Sequence, residues 1–467
     1  MLDTVSTRPE ERSGPVGSIP SAGQTALARA SHGILAHGRG VGDLLDAAIA
    51  AEGDLVAAHA LRGFCAYLSG RSALRPVAAA AAQAAEVAAC RRDATPDEAA
   101  MLEALALLGK GAWLAAAGRL EAGVPAAAQP ALLLKLATGL RFMRGDMATA
   151  LLATAAAVRH GDRNDPDHGY VLGMHAFALG EAGETETAEA CGRAAVARNA
   201  DDTWAWHAVA HVLETEARVG EGIGWIEGGR GHWSQSGDFR RHLWWHLALF
   251  HLATGGEEEA LALYDAEIAA PASDDPRDEA NAVGLLWRLE SAGIPVGRRW
   301  EAVADRARAM RSETEWLFAA LHRMVALLAV RDRRAAEESL EAVEAVGRTG
   351  HPEMRRAVSC TALPLGRALL GTVRGVAAPL RDAFGPLGGS VAQRDLFLRV
   401  LGEGAAAAGD RALLAQVIAV RRGLRAQDQV DALLSASLRR TARGGRPRPD
   451  EPQPALTGRA GGSGPLP

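Results

Sequence analysis

The chain has 467 residues, of which 48% are hydrophobic and 23% charged, a balance typical of a folded protein with a large buried core. Its net charge of −5 excludes the strongly basic surface expected of a nucleic-acid-binding protein. Only 4% of the residues are aromatic and alanine is abundant, which favours helices over β-sheet.

Both ends of the chain are predicted to be disordered. Residues 1–23 contain no apolar run and do not resemble a signal peptide, and residues 441–467 are rich in Pro and Gly. No stretch approaches the roughly 18 apolar residues of a membrane span, so we expect no membrane association and a cytoplasmic location. The cysteines are widely spaced without a CxxC pair, which indicates free thiols; they are Cys65, Cys90, Cys191 and Cys360.

Between these ends, residues 24–440 are predicted to form a single all-α solenoid. Amphipathic segments of about 10–18 residues alternate with short breaks at Gly, Asp or Pro. The clearest repeats lie within 131–270. Other helical segments are predicted at 41–70, 75–92, 96–118, 313–330, 333–346, 353–373, 391–408, 411–424 and 427–440.

The central repeats have a period close to 34 residues, the length of a tetratricopeptide unit. In such a unit two antiparallel helices pack closely and need small side chains near positions 8, 20 and 27. Units are predicted to start at Ala131, Gly169, Thr203 and Arg241. The small positions of the two clearest units are Ala176, Ala188 and Ala195, then Ala210, Gly222 and Gly229.

Histidine and tryptophan are concentrated in these repeats. Nine of the 14 histidines lie within residues 160–251, and nine of the ten tryptophans within 204–316. His207, His211 and Glu214 are four and three residues apart, so they share one face of a helix. First helices of tetratricopeptide units generally line a concave groove, and we therefore expect this face to be a groove.

The first helix of the next unit carries a similar face, formed by His242, Trp245 and His246. Like positions of adjacent units lie side by side in a stacked repeat. His207 is therefore predicted to lie near His242 and Trp245. The six groove candidates are His207, His211, Glu214, His242, Trp245 and His246.

Three interpretations of this cluster remain open. The histidines could be hydrogen-bonded interior groups, or they could line a groove for a protein segment or small molecule, with Trp206, Trp244 and Trp245 as contact surface. The third interpretation is a metal or acid–base site of His207, His211, Glu214 and His246. Ala208 occupies the position at which an HExxH metalloprotease carries its glutamate.

The sequence also resembles the tetratricopeptide repeat protein 38 family from about Leu44 to Leu424. The resemblance rests on AHALRGFCAYLSGR, GYVLGMHAFALGEAG, DDTWAWHAVAHVLE, HLWWHLALFHLATG, LLWRLESAGIPVGRRW and LGGSVAQRDLF. It implies an α-α superhelix with an interaction or scaffold role.

Residues that fit the family pattern include the groove histidines, Glu214 and His322. The chain departs from it at Met101, Thr138 and Val391, where relatives tend to carry His, and at Gly139, Asn281 and Ala320, where they tend to carry Asp. These departures favour a changed ligand or a structural role over a shared catalytic activity.

The sequence thus predicts a helical-repeat binding or scaffold protein that holds a protein segment or small molecule in a His/Trp-rich groove. The alternative is an enzyme of a specialised pathway, metal-dependent or using His and Glu as acid and base, with its site in the same groove. No cofactor and no metal are predicted. His207, His211 and His246 are the residues that would bind a metal.

Overall fold

The computed structural model describes residues 20–269, 274–371, 380 and 382–442. Within these ranges the chain forms helices joined by short turns, without a β-strand, which confirms the predicted all-α class. Most of the two segments predicted to be disordered lies outside the described residues. The first helix begins at Ala22 and the last ends at Ala442.

Two of the N-terminal helices begin at residues whose side chains cap them. Ser21 and Thr95 each accept a hydrogen bond from the backbone three residues on and complete a capping box. The segments predicted at 41–70 and 96–118 are each two helices, and Gly111 at φ 79° divides the second. These helices are α1 (Ala22–Ala36), α2 (Val41–Ala51), α3 (Val56–Leu68), α4 (Arg75–Ala89), α5 (Pro96–Gly109) and α6 (Trp113–Gly123).

The predicted repeats coincide with helix pairs. The first helix of each pair begins at, or one residue before, the predicted starts at Ala131, Gly169, Thr203 and Arg241. The helices of this region are α7 (Pro130–Arg144), α8 (Met147–His160), α9 (His168–Glu181), α10 (Thr185–Arg198), α11 (Thr203–Thr215), α12 (Val219–Gly228), α13 (Arg230–Trp233), α14 (Arg240–Ala253) and α15 (Glu257–Leu263).

The C-terminal part continues as helices, and the predicted segments from 313 to 440 correspond to most of them. They are α16 (Pro276–Ser291), α17 (Arg299–Ala309), α18 (Leu317–Ala329), α19 (Arg333–Thr349), α20 (Pro352–Ala357), α21 (Leu363–Leu369), α22 (Val391–Ala408), α23 (Arg411–Leu424) and α24 (Gln429–Ala442). Among the described residues, no helix combines the length and apolar character needed to cross a membrane.

Close approach between neighbouring helices explains the small residues of α12. A Cβ atom on Gly222 would overlap the ring of Phe250, and one on Gly229 would lie 2.5 Å from the ring of Trp206. Any larger side chain at these positions would force the helices apart. The repeat pattern therefore identified positions of real packing constraint.

The first helices of successive pairs form one layer. In this layer α7 contacts α9, α9 contacts α11, α11 contacts α14, α14 contacts α16, and α16 contacts α18. Each second helix packs against the first helix of its own pair. Helix α22 lies against α11 and α16, so the face that was predicted to be a groove is covered by the C-terminal part of the chain in this region.

Contacts between residues far apart in sequence join the N-terminal helices to the rest of the chain. Ser72 Oγ donates to Glu313 Oε2 at 2.6 Å, and Arg75 Nε donates to Glu315 Oε2 at 2.7 Å. At the end of α1, the backbone carbonyl of His37 accepts a hydrogen bond from the Gly237 N–H. The N-terminal helices are thus fixed to the segments that precede α14 and α18.

Candidate metal centre

Two adjacent helices each contribute a pair of histidines. Helix α11 begins at Thr203, where Asp202 Oδ1 accepts hydrogen bonds from two backbone N–H groups, and it carries His207 and His211. Helix α14 carries His242 and His246. Residues four apart on a helix project from the same face, and both pairs point to the interface between α11 and α14.

The four imidazole rings converge on one point. Ring centroids of His207 and His211 are 4.3 Å apart, those of His207 and His242 are 4.8 Å apart, and those of His211 and His246 are 4.5 Å apart. One nitrogen from each ring lies within 4.8 Å of those of the other three. His207, His211, His242 and His246 are 1, 6, 6 and 0% exposed.

The hydrogen bonds of the cluster leave several ring nitrogens without a partner. His207 Nε2 and His211 Nε2 are 2.7 Å apart, so one donates to the other. His207 Nδ1 and both nitrogens of His246 have no hydrogen-bond partner although they are buried. A buried polar atom without a partner is destabilising by about 1–3 kcal/mol, so this arrangement is poorly explained as a purely structural hydrogen-bond network.

His242 is oriented by a residue from another helix. Its Nδ1 lies 3.0 Å from Asn281 Oδ1, and Asn281 Oδ1 also accepts from Gln393 Nε2 at 3.2 Å. Because an amide oxygen can only accept, His242 carries its proton on Nδ1 and presents the lone pair of Nε2 to the cluster. A hydrogen bond of this kind to the outer nitrogen is typical of a metal-binding histidine.

Aromatic side chains surround the histidines. The ring of Phe177 stacks on His207 at 5.3 Å, and Trp245 stacks on His242 at 5.1 Å. Trp204 and Phe239 lie 4.9 and 5.0 Å from the His207 ring. This apolar shell limits the access of water to the cluster.

Burial lowers the pKa of all four histidines. It lowers the pKa of His242 to about 4 and holds the pKa values of the other three well below the usual range; the positive charges of nearby arginines add to the effect at His211, His242 and His246. All four rings are therefore neutral at pH 7. Neutral imidazole is the form that binds metal ions.

The geometry of the cluster fits a transition-metal ion. Zinc–nitrogen bonds of about 2.0–2.1 Å place four tetrahedral nitrogens about 3.3–3.4 Å apart. The nitrogens of this cluster already lie within 4.8 Å of one another, so small rotations of the rings would bring them into position. Imidazole ligands suit Zn, Cu, Fe and Ni.

The structure therefore places the three metal candidates, His207, His211 and His246, together and adds His242. His242 could also have been predicted as the fourth ligand from the sequence. The second HxxxH pair, His242 and His246, follows the first by one repeat, and adjacent first helices bring like positions together.

The remaining groove candidates are also buried. Trp245 is part of the aromatic shell, and Glu214 Oε1 accepts a hydrogen bond from Arg425 Nη1 at 2.9 Å while its Oε2 has no partner. None of the six predicted side chains presents a surface to a protein segment in this structure. Binding of a segment or small molecule by this face stays a prediction.

His322 fits the family pattern but lies apart from the cluster. Its Nδ1 bonds to the Phe318 carbonyl at 2.8 Å, and its ring packs against Phe397. In a comparison of the sequence with known families, no family model matches the chain. The resemblance to the tetratricopeptide repeat protein 38 family stays a prediction.

Proposed function

We propose that this protein is a tetratricopeptide-like helical-repeat protein that binds one divalent transition-metal ion at His207, His211, His242 and His246. The observation that carries the proposal is the convergence of four buried, neutral imidazoles, three nitrogens of which have no hydrogen-bond partner. Burying them unpaired is unfavourable, whereas a metal ion would use one nitrogen lone pair from each ring.

The hydrogen bond between His242 and Asn281 supports the same proposal. Asn281 fixes the tautomer of His242, and Gln393 fixes Asn281 in turn. If His242 had only a packing role, nothing would require the lone pair of its Nε2 to face the cluster. The ion would join two neighbouring repeats, because each repeat supplies one HxxxH pair.

The superhelical part of the proposal rests on the repeat. The helix pairs begin at residues 130, 168, 203 and 240, at spacings of 38, 35 and 37 residues, and successive first helices contact one another in one layer. Stacked helix pairs of this length are typical of tetratricopeptide superhelices. A cytoplasmic location, expected from the sequence, remains part of the proposal.

A buried metal site affects both roles predicted from the sequence, that of a binding module and that of an enzyme. Burial of the six groove candidates gives no support to binding of a protein segment at this site. A small ligand or a substrate that reaches the metal would agree with both the small-molecule hypothesis and the metal-dependent alternative. A bound divalent ion supplies Lewis-acid chemistry.

Metal analysis of the purified full chain tests the proposal. After incubation with Zn²⁺, Co²⁺, Ni²⁺ or Cu²⁺ and removal of free ion, we expect about one ion per chain by mass spectrometry. His246→Ala is expected to lose the ion, whereas the exposed control His160→Ala keeps it. A folded wild-type protein that retains none of these ions would refute the proposal.

A further inference from the structure

Charge balance at the four-histidine centre is incomplete once a metal is bound. Four neutral imidazoles leave the two positive charges of a divalent ion uncompensated. Positive charges of Arg394, Arg277 and Arg288 also act on the rings of His211, His242 and His246, respectively. A buried charge without compensation is strongly unfavourable.

Carboxylates near these arginines are already engaged. Arg394 pairs with Glu181 at 3.5 Å and Arg288 with Asp395 at 3.7 Å. Glu214, one helical turn beyond His211, pairs with Arg425 at 2.9 Å. Among the described residues, the group that could hold a metal contains four histidines and no carboxylate. The metal ligands of the chain therefore supply no negative charge to the ion.

The wall between His207 and the protein surface is thin at Trp204 and Phe239. Both rings contact His207, and both side chains are half-buried rather than fully buried. His37 stacks on this wall, 4.5 Å from Phe239 and 5.5 Å from Trp204, and its Nε2 is buried without a hydrogen-bond partner. A small anion that enters here would pass Trp204, Phe239 and His37 to reach the centre.

Lys135 provides a positive charge against the same wall, and the carboxylate of Asp202 favours its charged form. Its Nζ lies 4.9 Å from the Trp204 ring, which in turn lies 4.9 Å from the His207 ring, so the ammonium is within about 10 Å of the His207 ring. The 51 basic residues of the chain include only two lysines, Lys110 and Lys135. Burial lowers the pKa of Lys135 to about 8, which leaves it mostly charged at pH 7.

We infer that the four-histidine centre binds its metal together with a small anion of the carboxylate or azide type, which enters past Trp204 and Phe239 beside Lys135. This inference rests on the proposed metal site and adds an exogenous ligand to it. The anion would add a fifth ligand to the four imidazoles, neutralise part of the charge of the ion, and mark the position at which an anionic substrate would bind. No bond is broken in this step.

Cobalt substitution tests the inference in the full-length protein. Co²⁺ is titrated in perchlorate buffer with and without acetate or azide, and the visible d–d spectrum is recorded. We expect the anion to shift the bands and to tighten Co²⁺ binding about tenfold or more. Cobalt that binds with the same affinity and spectrum in all buffers would overturn the inference and leave the metal site intact. Failure to bind cobalt in any buffer would overturn the metal site itself.

The matched lysines test the route of entry. Lys135→Met is expected to weaken the azide effect roughly fivefold. Co²⁺ affinity in perchlorate should not fall, because Lys135 is not a metal ligand and its loss removes a positive charge near the ion. Lys110→Met, at an exposed position, should behave like the wild type. An unaltered azide titration in a folded Lys135→Met protein would overturn the assignment of Lys135 to the entrance.

Discussion

At the scale of single residues, the orientation of His242 depends on one amide. Asn281 Oδ1 accepts the His242 Nδ1–H and thereby directs Nε2 to the cluster. Loss of such an outer hydrogen bond typically lowers metal affinity about 10–100-fold. We expect Asn281→Ala to show this loss in a competition titration against a chelator.

Asn281→Asp tests whether Asn281 acts through its hydrogen bond to His242 or only by packing. A carboxylate has a similar shape to the amide and also accepts a hydrogen bond from His242 Nδ1–H. We expect Asn281→Asp to retain the wild-type metal affinity. Asn164→Ala, at an exposed position, serves as the control. Equal affinities for Asn281→Ala and the wild type would mean that His242 does not depend on this hydrogen bond.

The buried rings also predict how stability depends on pH. Histidines of the unfolded chain bind protons below about pH 6.5, whereas burial lowers the pKa of His242 to about 4 and those of His207, His211 and His246 further. Protonation therefore favours the unfolded chain. Stability is full above pH 7 and falls as the pH drops from 6.5 toward 4, by about 1.4 kcal/mol per pH unit for each ring.

Urea denaturation of the metal-free protein at pH 7.5 and 5.5 measures this effect. His37 and His322, which are also buried with lowered pKa values, act in the same direction. His32 acts in the opposite direction because its hydrogen bond with Asp201 raises its pKa, and so does Asp202, whose pKa burial raises to about 7. The buried rings outnumber these opposing groups, so the net change is a loss of stability at pH 5.5. Equal stability at both values would show that the rings are not held neutral by burial.

Residue-level prediction from sequence succeeded where the repeat supplied the geometry. The phase of the units placed His207 beside His242, and their rings are 4.8 Å apart. The contribution of Asn281 and Gln393 could not be predicted in this way. They are 112 residues apart in sequence, and no periodicity relates α16 to α22.

At the scale of helices, α12 offers a matched pair of glycines. A Cβ on Gly222 would overlap the Phe250 ring, whereas a Cβ on Gly224 would meet no atom within 4 Å. Gly222→Ala is expected to destabilise the protein by about 1–3 kcal/mol through overpacking. Gly224→Ala is expected to stabilise it by up to about 1 kcal/mol, because alanine is the better helix former.

Thermal unfolding of the two alanine variants checks this difference, since they share a helix and a substitution. Similar melting temperatures would contradict the close approach of α12 and α14.

The presence or absence of close packing at small residues also explains which helices the sequence predicted well. Small residues mark the close contacts of the repeats. The turn between α5 and α6 was missed although Gly109 and Gly111 mark it, because the alanine- and leucine-rich segments on both sides form one continuous helical pattern.

At the scale of the whole molecule, the C-terminal helices are joined by buried charges. Arg421 is fully buried and donates to Asp395 at 2.8 Å and to Asp431 at 2.7 Å. Arg421→Met would leave two buried carboxylates without this partner. We expect a loss of about 3–5 kcal/mol in chemical denaturation.

The control for this prediction is an exposed ion pair. Arg298→Met breaks a surface contact with Glu301, and we expect almost no change in stability because solvent screens both charges. Comparable losses of stability in the two variants would show that the buried ion pairs do not stabilise the protein more than the exposed pair does.

Neither the buried ion pairs nor the covering of the first-helix layer by α22 was evident from sequence, because both depend on contacts outside the repeat.

The long-range contacts of the N-terminal helices bear on synthesis by the ribosome. Ser72 can form its hydrogen bond only after Glu313 has been synthesised, 241 residues later. At a translation rate of about 5–20 residues per second, this interval is roughly 10–50 s. An ordinary repeat array can add each unit to its neighbour as it emerges. In this chain the early helices remain without their final partners throughout that interval, and their exposed surfaces make the nascent chain a natural client for chaperones.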